Sequence, residues 1–244
     1  MFFMNFLKGI GIGIANVIPG VSGGTMAVVF GIYDKLIECI ANFLQASMKK
    51  KMEYVKFMLP LLLGCAVGIL FFANVIGYLY ENYPVYTKGV FVILVLPSIP
   101  IIIKGENIKD IKNILSFSFG LLFVVAFFMF THDLEGNTFT KQEFFTFTYG
   151  LKLALCGALA GGAMIIPGIS GSLLLLALGE HENVINYIGN IEIIPLLYFG
   201  IGVGIGILIF TKIINYFLQN YRSKTLFVIL GIVIASLIEL LINI

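Results

Sequence analysis

Pro19-Gly-Val-Ser-Gly-Gly-Thr25 and Pro167-Gly-Ile-Ser-Gly-Ser172 are two copies of one motif, placed 148 residues apart. The flanking sequence repeats at the same spacing, so that Gly9 aligns with Gly157. Each copy lies between apolar stretches that are too short to cross a bilayer, which needs about 20 apolar residues. A Pro-Gly break leaves backbone groups without helical partners, and hydrocarbon tolerates this only where the backbone is buried in protein or lines a cavity. The motifs therefore predict two re-entrant helical hairpins.

The composition is typical of an integral membrane protein. Of the 244 residues, 59% are hydrophobic and 11% are charged, whereas a soluble domain carries about 25% charged residues. The formal net charge is only +2 and the basic residues are scattered among apolar segments, so we expect no nucleic-acid partner. The three cysteines lack metal-ligand spacing, and we expect neither a bound metal nor a cofactor.

The remainder of the chain repeats as well. Gly64-x-x-x-Gly68 aligns with Gly202-x-x-x-Gly206 at an offset of 138, and both are the small-residue pattern through which membrane helices pack closely. The repeat predicts a single membrane domain, 1–244, made of three parts. These parts are repeat 1 (1–104), a linking helix and loop (105–142) and repeat 2 (143–244).

The distribution of Lys and Arg predicts the orientation in the membrane. With the N-terminus and a loop at 49–56 inside, twelve of the fifteen basic residues lie on the cytoplasmic side. One span at 113–130 then turns the second repeat upside down relative to the first. We therefore expect an all-α membrane protein of two inverted-topology repeats, whose hairpins enter from opposite sides and meet near the middle. Reading the hairpins as full crossings would change the number of spans but keep the pseudo-symmetry.

Three stretches carry a resemblance to a known family. They are Ile18-Pro-Gly-Val-Ser-Gly-Gly-Thr-Met-Ala27, Gly31-Ile-Tyr-Asp34 and Ile166-Pro-Gly-Ile-Ser-Gly-Ser172. With them the chain resembles the bacterial polyprenyl-phosphate transporters, long described only as a domain of unknown function. The resemblance implies a carrier in the bacterial plasma membrane that returns undecaprenyl phosphate from the outer to the cytoplasmic leaflet. Its partners would be this lipid, the surrounding membrane lipids and a coupling proton or cation.

The second half of each hairpin begins at residues that suit a phosphate. Ser and Thr are favoured N-caps, and the free amides at a helix start attract anions. Pro19 and Pro167 are predicted to break the helices. We predict that the phosphate ligands are Gly20, Ser22, Gly23, Gly24 and Thr25 in the first copy and Gly168, Ser170, Gly171 and Ser172 in the second. The alternative is that both copies form only a small-residue packing contact between helices.

Other polar residues near the hairpins are weaker candidates. Asp34 and Glu182 are equivalent at the offset of 148, and either could bind a coupling proton. His181 is a third candidate, because His titrates near neutral pH. Asn16 and Lys212 are candidate accessory contacts to the lipid headgroup. Two of these positions depart from the family pattern, in which an acidic residue is common at Asn16 and a Tyr at His181.

Two other functions fit parts of the pattern. Lipid-pyrophosphate phosphatases also use inverted repeats and Pro-Gly-x-Ser loops, but hydrolysis needs Arg or metal-binding carboxylates beside the nucleophile. Neither motif copy contains such a residue, and the only Arg in the chain is Arg222. A carrier or channel for a small soluble anion would need the same kind of anion site. We expect a transporter rather than an enzyme.

Overall fold

The computed structural model describes residues 2–17, 22–132 and 145–242, and these ranges contain helices and no strand. The first half contains α1 (Phe2–Val17), α2 (Gly23–Val29), α3 (Tyr33–Asn42), α4 (Met48–Asn82), α5 (Pro84–Val95) and α6 (Ser98–Ile102). The second half contains α8 (Phe147–Ile165), α9 (Gly171–Ala177), α10 (His181–Gly189), α11 (Ile193–Asn220) and α12 (Arg222–Ile242), and α7 (Ile111–His132) lies between the halves.

Within the described ranges, six segments are long and apolar enough to cross a membrane. They are Met48–Phe72, Pro84–Ile102, Ile111–Met129, Phe147–Ile165, Ile193–Asn220 and Arg222–Ile242. Large apolar side chains such as Leu70 and Phe71 of α4 are exposed on the outside of the bundle. Lipid tails are as apolar as these side chains, so their exposure costs little in a bilayer. The expected all-α, multi-pass membrane architecture is confirmed.

The structure corrects the start of the first long span. Residues 49–56, expected to form a loop in water, belong to α4, which begins at Met48 and has 35 residues. The segment contains four Lys together with Met52 and Glu53, and all three residue types favour helix. A helix of this length extends about 52 Å, well beyond the roughly 30 Å of hydrocarbon. The basic first turns of α4 can therefore lie in water while remaining helical.

The first arm of the second hairpin also differs from the expectation. α8 has 19 residues, compared with 16 in α1. The expectation that every arm beside a motif is too short to span is therefore wrong for α8. The helix begins earlier than the apolar pattern indicates, because Thr146 caps its N-terminus. The Thr146 hydroxyl accepts a hydrogen bond from the Tyr149 amide at 3.2 Å. Such a cap stabilises the first helical turn.

Glycine contacts hold the first arm of each hairpin against a long helix. Gly9 of α1 abuts the carbonyl of Leu61 in α4, and Gly157 of α8 abuts the carbonyl of Phe199 in α11. A Cβ at either glycine would overlap that carbonyl oxygen. Leu61 and Phe199 are 138 residues apart, so the same close approach occurs at aligned positions of the two halves.

The two halves share one core. Its main buried cluster combines Ala27 and Ile37 of the first half with Phe227 and Val233 of α12. Helices also pack across the halves, with α3 on α11, α2 on α8, and α12 on α5 and α6. As a result, the N-terminal end of α2 lies near the C-terminal end of α8.

Candidate functional site

The described parts of the two motif copies touch each other. The Thr25 hydroxyl oxygen accepts a hydrogen bond from the amide of Gly168 at 2.8 Å. The Ser22 hydroxyl donates to the carbonyl of Ile166 at 3.4 Å. Residues from opposite halves of the chain therefore form one small polar centre, surrounded by helices. Pro19 and Gly20, predicted as a helix breaker and a ligand, lie outside the described residues.

The two copies begin their second helices differently. Ser22 occupies the N-cap of α2, and its hydroxyl accepts a hydrogen bond from the Thr25 amide at 3.3 Å. Ser170 occupies the corresponding position before α9 but makes no such bond. Its hydroxyl oxygen lies 2.7 Å from that of Ser172 instead. The Ser22 hydroxyl therefore caps α2, whereas the hydroxyls of Ser170 and Ser172 lie beside each other at a more exposed position.

The motif glycines allow backbone segments to approach closely. A Cβ on Gly24 would lie 3.1 Å from the carbonyl oxygen of Ile165. Gly168 has φ +82°, a left-handed conformation that glycine adopts without strain, and a Cβ there would lie 2.9 Å from the Ser236 hydroxyl oxygen. A Cβ on Gly171 would lie 2.8 Å from the backbone of α8. The packing interpretation thus accounts for these glycines without a ligand.

Burial separates the predicted phosphate ligands into two groups. The buried members are Ser22, Gly24, Thr25, Gly168 and Gly171, whereas Gly23 and Ser170 are partly exposed and Ser172 is exposed. The Gly168 amide and the Thr25 hydroxyl oxygen are hydrogen-bonded to each other in this conformation. A phosphate could bind this pair only after their mutual hydrogen bond opens.

Tyr33 connects the base of the first hairpin, where α2 meets α3, to the second motif. Its hydroxyl donates to the carbonyl of Ile165 at 3.1 Å, two residues before Pro167. Burial, and secondly the charge of Asp34, raise the pKa of the Tyr33 hydroxyl well above its usual value. The side chain therefore remains a neutral hydrogen-bond donor. The sequence offered no specific signal for this contact.

The repeat-equivalent acids have different surroundings. Asp34 forms an ion pair with Arg222 at 2.8 Å, and both side chains are about half exposed. Glu182 is exposed and lies 3.8 Å from Nδ1 of His181. Asn16 is also exposed, and its amide lies within 3.9 Å of the Cys65 sulfur. Asn16 borders the first motif, because a Cβ on Gly23 would meet its side chain at 2.7 Å.

Two further expectations concern Lys212, the candidate accessory contact, and the absence of a metal site. Lys212 lies at an exposed position of α11. In the part of the chain that the structure describes, no group of three His, Cys, Asp or Glu side chains could hold a metal ion.

A buried polar cluster at the base of the second hairpin was missed by the sequence reasoning. Glu180 is 2% exposed. Its carboxylate accepts hydrogen bonds from Tyr149 and Lys152, both at 2.6 Å, and from Asn183 at 3.0 Å. The aligned position in the first half is Ile32, which is also buried. An acid at a position that is apolar in the other repeat was the available signal.

Comparisons with known proteins agree on one family. A family model described as "VCA0040-like: Undecaprenyl phosphate translocase-like" matches residues 12–243. The chain is 31% identical over 246 residues to the "Polyprenyl-phosphate transporter" of Vibrio cholerae serotype O1, covering 97% of this chain and 76% of the relative. It is 30% identical to the protein of the same name from Staphylococcus aureus, covering 96% and 84%. No solved structure matches this chain significantly.

Proposed function

The chain belongs to the undecaprenyl phosphate translocase-like family, and we propose that it transports a polyprenyl phosphate across a bacterial plasma membrane. The proposed direction is from the outer to the cytoplasmic leaflet, which returns the carrier lipid to cell-envelope synthesis. The observation that carries the proposal is the hydrogen-bonded contact between Thr25 and Gly168, which joins the two motif copies.

The chemistry of the substrate explains why such a centre is useful. A lipid phosphate must move its negative charge through hydrocarbon, where an unpaired charge is prohibitively costly. Amides and hydroxyls from the two motifs can replace the water around the phosphate. In our proposal the arriving phosphate displaces the Thr25 oxygen from the Gly168 amide, and both groups then donate to the phosphate. Until the phosphate replaces it, the hydrogen bond between Gly168 and Thr25 keeps both groups paired.

We further propose that the halves are inverted repeats, with a cytoplasmic N-terminus. The matching contacts of Gly9 and Gly157 support the repeat. The ion pairs support the orientation: Arg222, expected inside, lies at the base of the first hairpin, and Lys152, expected outside, lies at the base of the second. Cysteine labelling tests this directly. Lys224→Cys should react only from the cytoplasm and Glu182→Cys only from outside, and labelling of both from one side would contradict the inversion.

The transport itself is tested in liposomes with a fluorescent short-chain polyprenyl phosphate and a membrane-impermeant quencher. The wild-type protein should exchange the lipid between leaflets, and Ser22→Ala should slow the exchange. Ser116→Ala is the matched control, because the Ser116 hydroxyl donates within its own helix to the carbonyl of Lys112 at 2.8 Å. Transport of free phosphate without lipid exchange would indicate a soluble-anion carrier. Release of phosphate from a lipid pyrophosphate would indicate a phosphatase.

A further inference from the structure

A cavity of about 220 Å³ lies at the base of the first hairpin, outside the two motif copies. The connection between α2 and α3 forms one wall, and α6 and α12 form the others. Its lining combines a charged pair, half exposed to solvent at the mouth, with several apolar side chains. The charged residues are Asp34 and Arg222, and the apolar residues include Val28, Ile102, Leu226 and Ile229.

We propose that this cavity binds the phosphate and the first isoprene unit of a prenyl phosphate, with Arg222 moving from Asp34 to the phosphate. The inference rests on the proposed function, because it names a second position for the same substrate. A water molecule occupies about 30 Å³ in the liquid, so the cavity has room for roughly seven. That space suits a phosphate and one five-carbon unit, and the remaining prenyl chain would extend into lipid.

The ion pair at the mouth can exchange partners. The side chains of Arg222 and Asp34 are 56% and 46% exposed, and ion pairs in water contribute little to stability. A phosphate offers Arg a two-point, charge-assisted contact with a higher negative charge than a carboxylate. The phosphate therefore has an advantage over Asp34. The apolar wall adds a contribution that only a prenyl group can use, which distinguishes the lipid from free phosphate.

The cavity lies close to the polar centre that the two motif copies form around Thr25 and Gly168, which we call the motif centre. Substrate can therefore pass between the two. Val28 lines it, and α2 carries the chain from Val28 back to the N-cap Ser22 over six residues. Six helical residues span about 9 Å, which is a short step for a headgroup. Tyr33 also lines the cavity while its hydroxyl reaches the carbonyl of Ile165 beside the second motif.

At the base of the second hairpin the cation is Lys152, and it pairs with the buried Glu180 rather than with the acid that aligns with Asp34. Glu182 aligns with Asp34, but it lies beside His181 rather than an Arg. The position that aligns with Arg222 at the offset of 136 is Tyr86, which is exposed. The cavity with its Arg therefore belongs to the first hairpin, and prenyl phosphate is held there next to the motif centre.

Binding of farnesyl phosphate to the purified protein in detergent, measured by calorimetry, tests the inference. Arg222→Gln should weaken the binding event at the cavity about tenfold or more, because it removes a charge-assisted contact, and should leave the event at the motif centre in place. Asp34→Asn should strengthen binding about threefold, because it removes the competitor for Arg222. The opposite signs are diagnostic, since a merely structural ion pair would be broken equally by both changes. Two changes of the same sign would overturn the inference.

Two controls make the outcomes separable. Lys224→Gln removes an exposed positive charge two residues further along α12 and should change the affinity less than twofold. Arg222→Lys keeps the charge without the two-point geometry, and its affinity should fall between wild type and Arg222→Gln. Size-exclusion profiles of all variants should match that of the wild type.

The probe and the motif variants distinguish this inference from the proposed function. Inorganic phosphate should compete poorly with farnesyl phosphate, and equal competition would overturn the assignment to a lipid. If Ser22→Ala weakened binding while Arg222→Gln did not, the cavity would be excluded and the transport function retained. If the wild-type protein neither bound farnesyl phosphate nor exchanged lipid between leaflets, both proposals would fail.

Discussion

The bases of the two hairpins occupy aligned parts of the repeat but are held in opposite ways. At the first base, Asp34 and Arg222 form an ion pair that is half exposed to solvent. At the second, Glu180 is buried and accepts hydrogen bonds from three side chains. A buried, fully paired carboxylate is costly to disturb, whereas an exposed pair contributes little. The difference indicates that the second base is an anchor and the first base is the part that can change partners.

The largest expected effect is at the anchor. Glu180→Ala leaves the buried hydroxyl of Tyr149 and the ammonium of Lys152 without their acceptor. We expect the free energy of unfolding to fall by about 3 kcal/mol, at the low end for a buried pair because Lys152 is half exposed. Asp34→Ala should change it by less than about 1 kcal/mol. Thermal unfolding in detergent measures both, and equal losses would remove the contrast between the two bases.

The next effect compares the N-cap serines. Ser22→Ala and Ser170→Ala should each weaken prenyl-phosphate binding about ten- to a hundredfold, because each loses a hydrogen bond to a charged group worth roughly 1.5–3 kcal/mol. Only Ser22→Ala should also lower stability, by about 1 kcal/mol, since Ser22 caps α2 and Ser170 makes no cap bond. Calorimetry and thermal unfolding separate the two effects. Normal binding by the double variant would exclude both hydroxyls as ligands.

Thr25→Val tests the contact between the motifs. The variant keeps the shape but removes the acceptor for the buried Gly168 amide, which costs about 1–3 kcal/mol. We expect lipid exchange in liposomes to slow about tenfold, because the same hydroxyl is a proposed phosphate ligand. Thr25→Ser restores the hydroxyl and should recover most of the rate. A fully active Thr25→Val protein would contradict the proposed role of this contact in transport.

The smallest expected effect concerns ion coupling. We propose that proton binding at Asp34 or Glu182 accompanies release of the phosphate. Protonation of Asp34 would free Arg222 to take the phosphate from the motif centre into the cavity, whereas Glu182 lies beside His181 and not beside an Arg. The double change Asp34→Asn with Glu182→Gln should therefore flatten the pH dependence of lipid exchange by a few-fold, mostly through Asp34. An unaltered pH profile would exclude both acids as coupling sites.

The sequence by itself determined the class of the protein, and it predicted where the helices break. High hydropathy indicates a membrane protein, because polar backbone is costly to leave unpaired in hydrocarbon. A Pro-Gly pair interrupts a helix wherever it occurs. Both signals can therefore be read from the sequence before the tertiary structure is known. The all-α membrane architecture and the Ser22 cap were predicted in this way, whereas Ser170, predicted as a cap by the same pattern, makes no cap hydrogen bond. The recurring contacts of Gly9 and Gly157 match the sequence repeat, while the inverted topology and the phosphate ligands remain predictions.

Only the tertiary structure decided which polar groups meet. Thr25 and Gly168 are 143 residues apart, and Asp34 and Arg222 lie in different halves. Nothing in the local sequence of either partner specifies the other, because such pairs depend on how helices pack. Helix packing is itself hidden in an apolar chain, since side chains that face lipid and side chains that face the core are equally apolar. For this reason Glu180, buried beside Lys152, was not singled out, whereas the exposed Glu182 was.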